Sequence, residues 1–382
     1  MRSTMETRIR HFFKTHTILV CAGILAVISC FFVPPSASYF SYIDFRVLAL
    51  LFSLMAVVGG LSSIGVFDIL GRKLLIHSGS FRTLDLIFVL LCFFCSMFIT
   101  NDVTLITFVP FTILVLSFTD KQSHMIFLIT LETIAANLGS MLTPLGNPQN
   151  LYLYTIADMS MADFIRTMLP YSVCSLLLLL FIIFCAKNRE PVSICILPDD
   201  NPQNNTHSFV RHLIIYLTLF ALCLLVVLHL LPYPVVLCIV ILTFLLVDQS
   251  VLRQVDYSLL LTFVCFFIFI GNLKNIPAIH SLLSSVIVGH EFMGGVLASQ
   301  FISNVPAAIL LSGFTTQYAP LLAGVNVGGL GTLIASLASL ISYQFYAKEK
   351  NSTPRKYLLV FTMYNVLFLV VLMGVFFVLS EI

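Results

Sequence analysis

The chain repeats itself, and the repeat constrains its fold more than any single residue does. Residues 43–76, beginning IDFRVLALLFSLMAVVGGLSSI, realign on residues 255–288, beginning VDYSLLLTFVCFFIFIGNLKNI, at an offset of 212. Asp44 then meets Asp256, and Gly59 meets Gly271. TNDVTLITFVPF from Thr100 meets SNVPAAILLSGF from Ser303 at an offset of 203, which places Asn101 on Asn304. ANLGSMLTPLGNPQNL meets GVNVGGLGTLIASLASL at an offset of 189, with Asn137 on Asn326 and Gly139 on Gly328, and this offset persists to Arg166 and Arg355. Three blocks in one order mark duplicated halves. Where polar motifs interrupt apolar stretches in both halves, a solute site between the repeats is expected.

Composition identifies the solvent. With 59% hydrophobic and 9% charged residues and a mean hydropathy of +1.05, the 382 residues have too little charge to cover a surface in water. The apolar runs are long enough to cross a hydrocarbon core of about 30 Å as helices, and the short alternating segments of a barrel are absent. The fold class expected is therefore an all-α polytopic membrane protein. A net charge of +2 without a basic patch gives nucleic-acid binding no support.

Charge placement orients the spans. Arg2, Arg8, Arg10 and Lys14 put residues 1–16 in the cytoplasm by the positive-inside rule. A span at 17–33 goes out, and one at 45–70 returns to Arg72, Lys73 and Arg82. A hairpin over 83–118, polar at its tip, ends at Asp120 and Lys121 on the same side. Residues 124–157 go out, 168–186 come in, and the polar linker 187–211 is cytoplasmic. The second half, 212–382, has spans at 213–231 and 234–248 and comes back to Arg253. It continues with a span at 257–273, a hairpin over 281–318 and a segment at 320–346 that returns to KEKNSTPRK. A last span at 357–379 leaves the C-terminus outside. These are nine crossings plus two hairpins. Five crossings separate the first span, in the repeat 17–186, from its counterpart at 234–248. An odd number inverts the second copy, so the two hairpins open to opposite sides.

The start also imitates a secretion signal ending at Cys30, but this span has a counterpart in the second half and reads as part of the fold. The ten cysteines are scattered through apolar runs, and the CxxC of Cys92 and Cys95 has no second pair or histidine cluster beside it. It reads as buried thiols. HExxH, GxSxG and P-loop motifs are absent, so an enzyme and bound cofactors are not expected.

Chemistry concentrates at the interruptions. A continuous helix over 124–157 would run about 50 Å, but NLGSMLTPLGNPQN places Gly139, Pro144, Gly146 and Pro148 inside it. The helix should break near the bilayer centre, where unwound backbone is tolerated only if it lines a cavity or is buried by protein. Freed carbonyls suit sodium, and helix N-termini suit an anion. The second copy breaks at Gly324, Gly328, Gly329 and Gly331, followed by Thr332, Ser336 and Ser339; close packing of small residues is the alternative there. The hairpin tips add Thr100, Asn101 and Asp102 in one copy and Ser303 and Asn304 in the other. Asparagine can coordinate a cation by its oxygen and a carboxylate by its amide, though Asn and Ser also serve as plain helix caps. The candidate solute and ion site is Thr100, Asn101, Asp102, Asn137, Gly146, Asn147, Pro148, Gln149, Asn150, Ser303, Asn304, Asn326, Thr332, Ser336 and Ser339, with sodium expected at Asn101, Asp102 and Asn147.

TNDVTLITFVPF, SMLTPLGNPQNL, QFISNVPAAILL and VNVGG resemble the citrate-transporter-like and arsenite-pump-like branch of the ion transporter superfamily. The likeness covers residues 17–379 and extends to bacterial inner-membrane anion transporters. It implies a scaffold, a carrier body moving as an elevator, often in a homodimer, and a solute and coupling ion held between tips and broken helices. Sodium-coupled dicarboxylate carriers of that superfamily have Ser-Asn-Thr at both tips, from which Thr100-Asn101-Asp102 and Ser303-Asn304-Val305 depart.

The halves also differ in their acids. Asp102 meets Val305 and Glu132 meets Leu321, and an ionisable group at bilayer depth costs at least about 2.5 kcal/mol and marks an ion or proton path. Asp102 is therefore the expected carboxylate for the coupling cation or proton; Glu132, on another face from Asn137, is equally readable as a packed acid. The first reading is secondary transport (symport) of a small carboxylate or inorganic oxyanion, coupled to sodium or protons, in a bacterial inner membrane. A sodium/proton antiporter or arsenite-type efflux permease of the same fold is the alternative.

Overall fold

The computed structural model describes residues 17–75, 80–117, 122–186, 206–349 and 352–381. The expected N-terminal cytoplasmic segment, Asp120, Lys121 and most of the central linker lie outside the described residues. The described residues are mostly helical, as a chain in lipid requires if its peptide groups are to be satisfied within each segment. In order the helices are α1 (Thr17–Phe32), α2 (Tyr39–Tyr42), α3 (Phe45–Ser63), α4 (Val66–Leu75), α5 (Phe81–Ile99), α6 (Asn101–Ser117), α7 (Gln122–Ser140), α8 (Pro148–Ile156), α9 (Met161–Cys185) and α10 (Thr206–Val227). They continue with α11 (Tyr233–Val247), α12 (Gln249–Gln254), α13 (Tyr257–Lys274), α14 (Pro277–Ile287), α15 (Glu291–Ile302), α16 (Asn304–Ser312), α17 (Tyr318–Val327), α18 (Leu337–Ala347) and α19 (Pro354–Ser380). Among the described residues, six helices are long and apolar enough to cross a membrane singly, and α14 with α15 forms a pair bent by 109°. The chain is an all-α, multi-pass membrane protein.

Both hairpins and both broken helices are present. α5 and α6 meet at Thr100, and α15 and α16 meet at Ser303. The long segment over 124–157 stops at Ser140 and resumes at Pro148, because Asn147 caps the new helix by accepting from Asn150 N–H at 3.0 Å. Its counterpart stops at Val327 and resumes at Leu337.

Three boundaries differ from those expected. The span over 45–70 ends at Ser63, where Gly65 takes φ of 75° and turns the chain into the separate helix α4. α10 begins at Thr206, so the last residues of the 187–211 linker are already helical. The hairpin over 281–318 is shorter than expected, with arms Glu291–Ile302 and Asn304–Ser312. Gly289, at φ of 83°, ends α14 and sends the chain off at 109°.

The helices gather into two bodies. α3 packs on α10, α11 and α12, and α13 packs on α1. The hairpins pack on the broken helices, α5 and α6 against α7, and α15 and α16 against α17. Glycine sets how closely: a Cβ on Gly139 would sit 2.7 Å from the Phe93 carbonyl carbon, and one on Gly328 would sit 2.8 Å from Val296 Cα. Phe93 and Val296 are themselves counterparts at offset 203, which explains why Gly139 and Gly328 recur.

Candidate functional site

Each hairpin tip is held open by one residue. Thr100 (φ 70°, ψ 152°) and Ser303 (φ 73°, ψ 155°) adopt the same positive-φ backbone, a costly state for residues with a Cβ. The next peptide then reaches across to the break of the following helix. Asn101 N–H donates to the Gly146 carbonyl at 3.1 Å, and Asn304 N–H donates to the Ala335 carbonyl at 3.0 Å. Gly146 and Ala335 are counterparts at offset 189. A second staple sits beside each: Thr143 Oγ1 donates to the Met97 carbonyl, and Thr332 Oγ1 donates to the Gln300 carbonyl at 3.1 Å.

The two breaks cross, and their asparagines are exchanged. Asn137 of α7 accepts from Ser336 Oγ at 3.0 Å and donates to Ser339 Oγ at 3.4 Å, both in the other half. Asn326 of α17 accepts from Asn147 Nδ2 at 3.2 Å and donates to Asn150 Oδ1 at 2.6 Å. At offset 189, Asn147 corresponds to Ser336 and Asn150 to Ser339, so the two sets of bonds are reciprocal. Asn101 Nδ2 joins by donating to Asn137 Oδ1 at 2.9 Å. Each of these asparagines is at most 5% exposed, so every lost partner would leave a desolvated amide at about 1–3 kcal/mol.

Beside this crossing lies a cavity of ≈ 610 Å³ between the two bodies. One wall is the first tip and break, with Thr100, Asp102, Asn147 and Pro148. Val305 and Pro306 of the second tip and Leu337 of the second break complete that side. The opposite wall comes from α3 and α13 and carries Ser62, Asp256 and Thr262. Among the described residues, no lysine or arginine lines it. The helix ends differ between copies. Thr100 Oγ1 takes Val103 N–H at 3.5 Å and Asn147 caps α8, whereas Ser303 and Ser336 make no side-chain cap to α16 and α18. The second copy thus offers uncapped peptide donors near the cavity, and the first offers a carboxylate.

The structure gathers most of the residues singled out from sequence. Thr100, Asp102, Asn147 and Pro148 face the cavity; Asn137, Asn150, Asn326, Ser336 and Ser339 form the crossing; Ser303 and Asn304 hold the second tip. Of the residues expected at sodium, Asp102 and Asn147 line the cavity, while the Asn101 amide turns to Asn137. Gly146 contributes its carbonyl, and Gln149 is buried in the first turn of α8. Thr332 is exposed and staples the break to α15 rather than joining the crossing. Glu132 lies apart, buried, accepting from Thr112 Oγ1, with its second oxygen lacking a donor among the described residues. Sequence reasoning missed Gln300, whose Nε2 donates to the Gly328 and Leu330 carbonyls at 2.8 and 2.9 Å. It also missed Asp256 and Thr143, although Asp256 matches Asp44 and Thr143 matches Thr332 at the repeat offsets.

Crossed broken helices with a largely apolar cavity beside the crossing, into which a few polar and acidic groups project, in a multi-pass chain, define a membrane transporter. Residues 11–338 match the citrate transporter family, and the chain belongs to that family. It is 32% identical over 338 residues to an uncharacterized transporter of Methanocaldococcus jannaschii, covering 88% of this chain and 90% of that one. It is 34% identical over 319 residues to the inner membrane protein YbiR of Escherichia coli, covering 82% and 83%. A shorter match, 32% over 151 residues, joins 40% of the chain to 31% of a silicon efflux transporter of Oryza sativa subsp. japonica.

Proposed function

We propose that the protein is a secondary active transporter of a small anion, a carboxylate or inorganic oxyanion, driven by sodium or protons through elevator-type alternating access. The single observation that carries this is the division of labour in one cavity: a carboxylate from the first tip faces uncapped helix starts from the second copy. The coupling cation or proton is assigned to Asp102, and the anion to the donors around Val305 and Leu337. The reciprocal asparagine bonds support two inverted repeats meeting at a pseudo-two-fold axis. The body of hairpins and broken helices is the carrier, and the α1, α3, α11 and α13 body is the scaffold, suited to a homodimer. Gln254, beside Arg253, and Gln344, near Lys348, line the cavity, which therefore reaches the side that the positive-inside rule makes cytoplasmic. This form is therefore inward-facing, in a bacterial inner membrane.

Reconstitution into liposomes tests the reading. Labelled citrate, chosen from the family, and silicic acid, chosen from the rice relative, are offered under imposed sodium and proton gradients. Gradient-driven accumulation that is lost in Asp102→Asn supports the assignment. Undiminished proton-driven accumulation in that variant would sink it. A second reading rests on Asp102 and Asp256 sharing a cavity that lacks a basic side chain among the described residues. Proton exit driven by sodium alone, with no anion moved, selects a cation/proton antiporter.

A further inference from the structure

The open cavity and a closed seam elsewhere in the molecule are built from the same repeat positions. On α3, Leu51, Met55, Val58 and Ser62 line the cavity. Their counterparts at offset 212 on α13 are Phe263, Phe267, Ile270 and Lys274; the first three are buried, and Lys274 is exposed. Phe263 and Phe267 lie on the ring of Tyr152, with centroids 6.1 and 5.7 Å away, and Tyr152 Oη is 2.9 Å from Ser312 Oγ. Ile270 and Lys274 lie against Gly313, where a Cβ would sit 2.6 Å from Ile270 Cγ2 and 3.1 Å from Lys274 Cε. Tyr152 is itself the counterpart of Ile341, which lines the cavity. The seam is the cavity's twin in the closed position.

Charge distinguishes the twins. Asp256 and its counterpart Asp44 match, each capping its own helix: Asp44 accepts from Val47 N–H and Asp256 from Leu259 N–H, both at 3.0 Å. Ser258 corresponds to Arg46, and Ser62 corresponds to Lys274. The closed side therefore carries two bases at positions where the open side has serines.

We infer that the outward-facing form opens this seam into an anion-collecting vestibule, in which Arg46 and Lys274 hold the charge of the incoming solute. This rests on the inverted-repeat reading above. A cleft lined by one sign of charge raises the local concentration of the opposite ion. The outer vestibule gathers anions, and the inner cavity, lined by Asp102 and Asp256 and by no lysine or arginine among the described residues, lets them go. The asymmetry favours loading of the anion from the outside, and the ligand class is a small anion bound by a guanidinium and an ammonium.

The chain contains no tryptophan, so a single introduced one is an unambiguous reporter. Full-length Phe267→Trp places it in the seam, and Met55→Trp places it at the twin position in the cavity. Quenching is measured in nanodiscs at low salt with neutral acrylamide, anionic iodide and cationic caesium. For Phe267→Trp, iodide is expected to quench better than caesium by roughly twofold or more, and Arg46→Gln with Lys274→Gln brings the two together. Met55→Trp shows the opposite preference. An iodide-to-caesium ratio for Phe267→Trp that the double substitution leaves unchanged overturns the vestibule. If acrylamide itself never reaches Phe267→Trp, the inverted-repeat reading fails with it; acrylamide quenching without charge preference sinks the vestibule alone.

Discussion

The two hairpin tips have one backbone and two chemistries. Thr100 and Ser303 share φ and ψ within a few degrees, and the following asparagines donate to counterpart carbonyls at 3.1 and 3.0 Å. One residue later the copies diverge, to Asp102 and Val305. The shared part is what a tip needs to stop two helix ends in low dielectric, since an unpaired peptide group there costs several kcal/mol. The divergent part is free to carry function. Duplication has preserved the geometry that satisfies the backbone and released the side chains beside it, so asymmetry between the copies is where chemistry is found.

Substitutions can test how deep the equivalence runs. The largest effect is expected at the helix crossings: Gly139→Val and Gly328→Val each force a branched side chain into the backbone of the neighbouring hairpin arm. Both should lose about 3 kcal/mol or more in detergent unfolding, and a large difference between them would break the equivalence. Asp102→Asn should cut gradient-driven transport about 100-fold while leaving the unfolding midpoint within a few degrees. The reverse change, Val305→Asp, gives both tips an acid and should weaken anion uptake about tenfold by like-charge repulsion. Asn137→Ala and Asn326→Ala should each cost about 2–3 kcal/mol in unfolding, because each leaves buried groups of the opposite half without a partner. The smallest effect is expected of Thr143→Val and Thr332→Val. Thr332 is exposed, so its loss should stay under about 1 kcal/mol, and the less exposed Thr143 should exceed it.

Much of this architecture was legible in the chain. Pro148 follows Asn147, a cap followed by a residue without a donor, and α8 starts there. The tip asparagines and the glycine pair Gly139 and Gly328 stood out because they recur. Other residues left weaker signals. Gln300 lies three residues before the Ser303 tip and has Met97 as its counterpart, so the repeat did not mark it; its role is to hold the carbonyls of the second break. Thr332 was grouped with Ser336 and Ser339 by proximity in sequence, yet in irregular backbone four residues suffice to turn a side chain to another surface. The arms of the second hairpin were overestimated because α14 is as apolar as a membrane arm, and only the turn at Gly289 separates them.

The sequence by itself determined the solvent, the duplication, the places where helices break and the polarity left at those breaks. These follow from local rules: hydropathy over a span, and the backbone limits of proline and glycine. The tertiary structure alone decided that Asn137 serves the second half's break and Asn326 the first half's, that Asp256 faces Asp102's cavity, and that Phe263 and Phe267 seal its twin. A helix in lipid can turn any face toward a partner at little cost in its own hydrogen bonds. Which face meets which is set by packing between distant segments, and that information is not written at any one position of the chain.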